Sequence, residues 1–163
     1  VAAASGFSLS IFPLQGHAMK IRFLISILLA LSFAPAFAGE KEDATALVNE
    51  AAAAVSKDKA AAIAVISNKS GRFVKGELYV FAYDMNGVMV AHPINAKLIG
   101  KNLLEVPDAE GKLFRKEIIS GVQTSGSTSV GYKYKNPQSG KVEDKISFCK
   151  KAADLAVCAG YYK

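Results

Sequence analysis

Residues 79–93 read Tyr79-Val-Phe-Ala-Tyr-Asp-Met-Asn-Gly-Val-Met-Val-Ala-His-Pro93. Leu78 to Asp84 and Val88 to His92 are two apolar runs of strand length, joined through Met85-Asn86-Gly87. Asn-Gly between such runs is a strong hairpin signal. The first run is apolar on both parities, with Tyr79, Phe81 and Tyr83 alternating with Leu78, Val80 and Ala82. A strand apolar on both sides is covered on both faces, so this hairpin belongs to a sheet packed above and below. The second run ends at His92-Pro93. Proline forces an extended backbone on the residue before it and interrupts the ladder, so the step ends the strand and aims the imidazole.

One cover lies upstream. Glu40 to Ile66 carries apolar residues at helical spacing: Leu47, Val48, Ala51, Ala52 and Val55, resuming with Ala62, Ile63 and Ile66. Glu40, Glu42 and Asp43 sit in the first turn, where the helix dipole favours acid. Ser56-Lys57-Asp58 interrupts the pattern, and Asp58 is placed to cap a second, shorter helix. Asn68-Lys-Ser-Gly71 ends it.

The other cover lies downstream, in the connection from Pro93 to Gly126. It holds Leu98-Ile99, a turn at Gly100, Leu103-Leu104, Pro107-Asp108-Ala-Glu-Gly111 and a helix expected over Lys112–Ser120. Connections of this length inside a compact domain are usually functional. Three more strands are expected at Thr128–Lys135, Val142–Lys151 and Leu155–Tyr162, the first two joined by the turn-rich Asn136-Pro-Gln-Ser-Gly140. The class is α+β: a five-stranded antiparallel sheet with a long N-terminal helix on one face and short helices and loops on the other.

The N-terminal residues are of a different kind. Met19-Lys20-Ile-Arg22 is a positive start, Phe23 to Phe33 is an apolar run, and Ala36-Phe37-Ala38 fits the small-x-small cleavage rule. Residues 19–38 are therefore expected to be a signal peptide cleaved before Gly39, and residues 1–18 an upstream extension ahead of the true start. The run is short for a bilayer span and is interrupted by Pro35, so the mature chain, 39–163, is expected to carry no membrane span and to be periplasmic or secreted. It forms one domain of about 125 residues. Without Lys20 and Arg22 it has 18 basic against 14 acidic side chains. The lysines are scattered with no arginine-rich stripe, which argues against nucleic acid as a partner.

The two cysteines, Cys149 and Cys158, pair on compartment and register. If the chain folds back at Ala153-Asp154, the closing pair is Ala152 with Leu155, and three pairs further on the cysteines stand directly opposite, at a position without ladder hydrogen bonds. A structural disulfide is the expectation. The rival reading, a redox or metal pair, lacks a metal-ligand spacing or a nearby histidine.

Four stretches together resemble a known family: GRFVKGELYVFAYDMNGVMVAHP at 71–93, LIGKNLLEVPDAEGKLF at 98–114, VGYKYKNPQSGKVEDKISFCK at 130–150 and AGYY at 159–162. Their succession of D-x-x-G, H-P, G-K-N, D-x-x-G-x-x-F and terminal G-Y resembles the single Cache domain, a PAS-like extracellular sensor fold, over the whole of 39–163. The resemblance implies a pocket between the sheet and the insertion after H-P, taking a small organic anion such as a short carboxylate, or another small metabolite. Such domains usually precede a membrane helix and a signalling output in chemoreceptors and sensor kinases. Here the last strand is followed at once by Lys163, so the expectation is a free periplasmic module acting through a membrane sensor or chemoreceptor partner. Leu155 and Cys158 stand where many relatives have a bulky aromatic.

Six residues are candidates for the ligand. His92 ends its strand at the mouth of the insertion, where it either caps the strand or lines the pocket. Lys145 lies mid-strand on the parity opposite Ile146 and Phe148. In a sheet covered on both faces such a lysine either snorkels to an edge or meets an anion, and the family often has a lysine here. Tyr79, Phe81 and Tyr132 offer apolar area, the tyrosines with a polar tip. Lys101, in Gly100-Lys101-Asn102, either approaches the pocket or belongs to a surface turn.

Enzyme chemistry has little support. G-x-S-x-G, P-loop, H-E-x-x-H and Rossmann fingerprints are all missing, which leaves a lone His92 with Asp84 across the hairpin as the acid–base machinery that could be imagined. No catalytic residue, metal ligand or cofactor is expected. The leading expectation is reversible binding of a small organic anion for sensing. The alternative is a periplasmic interaction module whose pocket is degenerate.

Overall fold

The computed structural model describes residues 39–163. The expected upstream extension at 1–18, the signal peptide at 19–38 and the cleavage site fall outside the described residues.

Helices α1 (Glu40–Lys57) and α2 (Lys59–Ile66) divide where expected. Asp58 leaves helical geometry, and its carboxylate accepts from the Ala61 amide at 3.0 Å, capping α2. Ala44, Leu47, Val48, Ala51, Ala52 and Val55 are buried along one side of α1. So many small side chains let the helix lie close on the sheet, against Val80, Ala82, Val157 and Ala159.

Among the described residues the sheet has six strands, not the five expected: β1 (Val74–Lys75), β2 (Leu78–Asp84), β3 (Met89–Ala91), β4 (Ser127–Lys135), β5 (Val142–Ala152) and β6 (Leu155–Tyr162). All pairings are antiparallel, in the order β1-β2-β6-β5-β4. The extra strand is two residues long, too short to leave a periodic signature. It pairs Val74 with Tyr79 and Lys75 with Leu78, while β3 pairs further along the same edge of β2.

The two parities of β2 divide as read. Val80 and Ala82 face α1, whereas Tyr79, Phe81 and Tyr83 join a second core with Phe114, Ile118, Val122, Tyr132 and the two cysteines. The helix expected over Lys112–Ser120 is instead α3, Phe114–Ser125. Gly121 does not end it. That glycine lies against β4, where an added Cβ would stand 2.7 Å from Thr128 Cβ, and the helix runs through to Gly126.

Both D-x-x-G stretches form the same turn. Asp84 Oδ1 accepts from the amides of Asn86 and Val88 at 2.9 and 2.8 Å, and Asp108 Oδ1 from those of Glu110 and Lys112 at 2.9 and 2.8 Å. Gly87 and Gly111 take φ of 82° and 87°, a left-handed conformation glycine adopts without steric cost. The second turn does more than reverse the chain. Asp108 Oδ2 accepts from the Lys133 amide at 2.8 Å, and Lys112 Nζ donates to the Gly131 carbonyl at 2.8 Å. Two backbone groups of edge strand β4, on either side of Tyr132, are thus held by side chains of the insertion. Burial acts to raise the Asp108 carboxyl, but the amides of Lys133, Lys112 and Glu110 outweigh it and hold the group below its ordinary value.

Cys149 and Cys158 form the expected disulfide at the expected register, with Ala152 opposite Leu155. Their Cα atoms are 4.1 Å apart, the close spacing of a pair without ladder hydrogen bonds.

Candidate ligand site

His92-Pro93 is where the chain leaves the sheet. With no amide on Pro93, the next two amides turn back on the imidazole: Ile94 and Asn95 donate to His92 Nδ1 at 3.2 and 3.0 Å. A neutral imidazole that accepts at Nδ1 carries its proton on Nε2, so the turn fixes the tautomer. His92 caps the strand end and is buried, at 3% exposure. Burial, reinforced by the charges of Lys145 and Arg115, pulls its pKa down to about 4.

His92 lines a cavity between β2, β4 and the insertion with Tyr79, Phe81, Tyr83, Tyr132 and Tyr134. Its ring centre lies 5.2 Å from that of Tyr79 and 6.1 Å from that of Phe81. On the opposite wall Tyr132 stacks flat on Phe114 at 3.8 Å, and its hydroxyl bonds Ser147 Oγ at 2.8 Å. The free volume is about 10 Å3, room for one water. The rings of the wall fill most of the space between sheet and insertion.

Two buried cations stand behind this wall. Lys145, 1% exposed, lies with Nζ 4.0 Å from the centre of the Tyr79 ring and 4.5 Å from that of Tyr162. It donates to the Tyr162 hydroxyl at 3.2 Å. Burial draws its pKa down to about 7, opposed by the field of Glu77. Arg115, 5% exposed, donates from Nε to the Tyr83 hydroxyl at 3.1 Å and from Nη1 to the Val106 carbonyl at 3.0 Å, its guanidinium 4.1 Å over the Phe114 ring. Among the described residues every ion pair lies elsewhere, and neither cation has a carboxylate partner. Burial pushes Tyr83 up to about 12, Tyr79 well above its ordinary value and Tyr132 likewise. All three hydroxyls keep their protons at neutral pH.

Of the six candidates, Tyr79, Phe81, His92 and Tyr132 line the cavity, and Lys145 lies behind Tyr79. Lys101 is exposed and away from it. Its carbonyl accepts from the Met89 amide at 3.0 Å, so Gly100-Lys101-Asn102 is spent zipping the insertion onto β3. Sequence reasoning passed over Tyr83 and Tyr134, whose parity with Tyr79 and Tyr132 carried the signal. It also missed Arg115, which sits in the charged run Arg115-Lys116-Glu117 and gives no sign of burial. Among the described residues no group of three or more His, Cys, Asp or Glu is placed to hold a metal ion, and no helix is long and apolar enough to cross a membrane.

An antiparallel sheet backed by a long helix, with an insertion closing a polar-tipped cavity on the other face, is the architecture of a PAS-like sensor module. Residues 41–161 match the family model for Single Cache domain 2, and the chain belongs to that family, whose members are signalling and ligand-binding modules. A 70-residue stretch is 33% identical to the sensor histidine kinase MctS of Rhizobium johnstonii, covering 43% of this chain and 15% of the kinase. The chain thus spans a small part of that relative. A methyl-accepting chemotaxis protein from Vibrio parahaemolyticus superposes with TM-score 0.64 at 24% identity, over 75% of this chain and 87% of the other. A periplasmic sensor domain of a chemotaxis protein gives 0.60 at 29%, over 74% and 88%. A Cache chemosensory domain described for carboxylic acid recognition gives 0.64 at 20%, over 75% and 92%.

Proposed function

We propose that residues 39–163 are an exported sensor module that reversibly binds a small organic anion, of the size of a short carboxylate, and passes occupancy to a membrane sensor or chemoreceptor partner. The observation that carries this reading is the pair of buried cations, Lys145 and Arg115, flanking one cavity with no carboxylate in ion-pair contact with either among the described residues. A buried charge is costly unless paired, and an anion between them would supply the missing partner. His92 is held as a donor at Nε2, and the tyrosine hydroxyls can donate as well. One charge-assisted hydrogen bond in such a place contributes about 1.5–3 kcal/mol. The recognition of carboxylic acids by a Cache domain of the same fold supports the choice of anion.

The free volume of about 10 Å3 takes no carboxylate as it stands. Binding therefore requires the Pro93–Leu113 segment or the Tyr132 and Phe114 rings to move outward. The decisive test is thermal shift and calorimetry of the purified protein against acetate, propionate and longer acids, followed by a structure with the best of them. A binder whose affinity is lost in Lys145→Ala and His92→Ala supports the site. No binder among the acids, or one indifferent to both changes, overturns it. Export is tested by N-terminal sequencing of the protein recovered outside the cytoplasm. A mature end far from Gly39 would remove the signal-peptide assignment.

The same small volume favours a second reading, in which the rings are the permanent filling and the domain is an interaction module docking on a membrane sensor. A cavity that keeps its size in every soaked crystal, together with a partner that binds in the absence of any acid, would establish that reading instead.

A further inference from the structure

Lys145 enters the core from β5 between strands that give it rings rather than charges. Tyr79 and Phe81 of β2 lie 4.0 and 5.8 Å from its nitrogen, Tyr134 of β4 5.4 Å and Tyr162 of β6 4.5 Å, measured to ring centres. It donates a hydrogen bond to the Tyr162 hydroxyl, which itself donates to the Lys135 carbonyl at 3.1 Å. Gly160 of β6 provides the space for the stem. The titratable and charged groups around the cage are these tyrosines, Tyr132 opposite Lys145 on β4, Glu77 from the β1–β2 turn, His92 from the end of β3 and Arg115 from α3. The concavity that Lys145 and Tyr132 line on the outer side carries charges of both signs, Asp108, Lys133 and Asp144 among them. Glu77 acts through its field and makes no ion pair with Lys145. Arg115 adds a second positive charge near the same cavity. Aromatic faces attract a cation but do not neutralise it, so the empty site gives an ammonium here little to offset its lost hydration.

We infer that the site takes up its anion together with a proton, which Lys145 holds, so that affinity weakens as pH rises above neutrality. The inference rests on the anion-binding reading and adds its regulation: the module reports an anion and proton availability jointly. An anion brought to the cavity supplies the counter-charge the cage lacks and raises the proton affinity of the amine. By reciprocity, protonating the amine strengthens anion binding. The pKa of about 7 for Lys145 in the empty site puts the effect near neutral pH. Between pH 6 and 9 His92, near 4, is already neutral, and the tyrosines around the cavity, all pushed up by burial, remain protonated.

Two measurements on the full chain test this. Carbon-13 NMR of the lysine ε-carbons, with Lys145 assigned by comparison with Lys145→Met, follows the amine directly in the absence of acid. It is expected to titrate near neutrality and to move to higher pH with saturating acetate or propionate. Calorimetry with the same acids at pH 6, 7, 8 and 9 is expected to show affinity falling, towards about tenfold per pH unit once the amine is neutral, with proton uptake revealed by buffers of different ionisation enthalpy. Lys145→Arg, which stays charged, is expected to bind with flat pH dependence. Acid binding to the wild-type protein that is flat from pH 6 to 9, or an amine that titrates like a free lysine, overturns the proton coupling and leaves anion binding standing. Failure to bind at every pH overturns the anion-binding reading and this inference with it.

Discussion

Gly160 makes the room in which Lys145 lies: a Cβ at position 160 would stand 2.7 Å from Lys145 Cε, 2.8 Å from the Ile146 carbonyl, and against the Ser147 hydroxyl. The terminal G-Y of the sequence thus has a physical content. Its glycine seats the stem of the buried lysine and its second tyrosine, Tyr162, receives the lysine's hydrogen bond. Gly160→Ala is expected to cost about 1–3 kcal/mol through overpacking and to weaken anion binding by displacing Lys145. Denaturant unfolding and calorimetry on the same variant check both. An unchanged unfolding midpoint would mean that the stem is free to shift.

His92 sets a pH limit on the fold. Its folded-state pKa of about 4 lies below the ordinary 6.5, so between these values the unfolded chain binds more protons and stability falls as pH drops. The contribution is complete above pH 6.5 and lost progressively towards pH 4. The displacement corresponds to about 3 kcal/mol. Unfolding measured at pH 7, 5.5 and 4 should show this loss in the wild-type protein and a correspondingly shallower one in His92→Gln. Equal slopes would contradict it.

Arg115 is expected to matter to affinity more than its place in a charged run suggests. Arg115→Met removes the guanidinium while keeping much of the stem volume. Anion affinity should fall by about tenfold or more, the worth of one charge-assisted contact. Losing the bond to the Tyr83 hydroxyl should cost about 1 kcal/mol of stability besides. Arg115→Lys should recover part of the affinity, because the charge remains while the fork of donors is lost. Titration of both variants with propionate distinguishes these effects.

Asp108 latches the insertion to the edge of β4. Asp108→Asn keeps an oxygen for the Glu110 and Lys112 amides but turns an NH2 towards the Lys133 amide, placing donor against donor. Hydrogen exchange at Lys133 should accelerate while exchange in the Cys149–Cys158 region stays unchanged, and stability should drop by about 1–3 kcal/mol. If the latch also restrains opening, ligand association and dissociation should both quicken. Exchange at Lys133 as slow as in the wild type would show that the carboxylate holds nothing.

The disulfide closes a short loop, so its entropic contribution is modest. The pair Cys149→Ala and Cys158→Ala is expected to lower stability by about 2–3 kcal/mol without changing the register of β5 and β6, which the Ala152–Leu155 turn also sets. Comparing this double variant with the oxidised protein in denaturant measures the difference. Equal stabilities would remove the loop-closure account.

Much of the fold was written locally. The parity of β2 showed that two covers were needed, Asp58 marked the break between helices, and the count from Ala153-Asp154 placed the two cysteines opposite one another. These are short-range consequences of periodicity and turn chemistry, available to a reader of residues alone. The failures were also physical. Strand β1 was too brief to show a period, and the helix expected to end at Ser120 runs through Gly121, whose reason for being glycine, the approach of Thr128, lies across a helix–strand contact.

The sequence by itself determined which side chains of one strand share a face: Tyr79, Phe81 and Tyr83 along β2, Tyr132 and Tyr134 along β4, Lys145 opposite Ile146 along β5. Alternation along a strand is a property of the backbone. What tertiary structure alone decided was how far each of these stands from the others and from water. It buried Arg115 from within a polar run and sent Lys101 to the surface, and it filled the space beneath the insertion with rings until room for a single water remained. Burial and charge compensation are sums over residues distant in the chain, and so no local pattern encodes them.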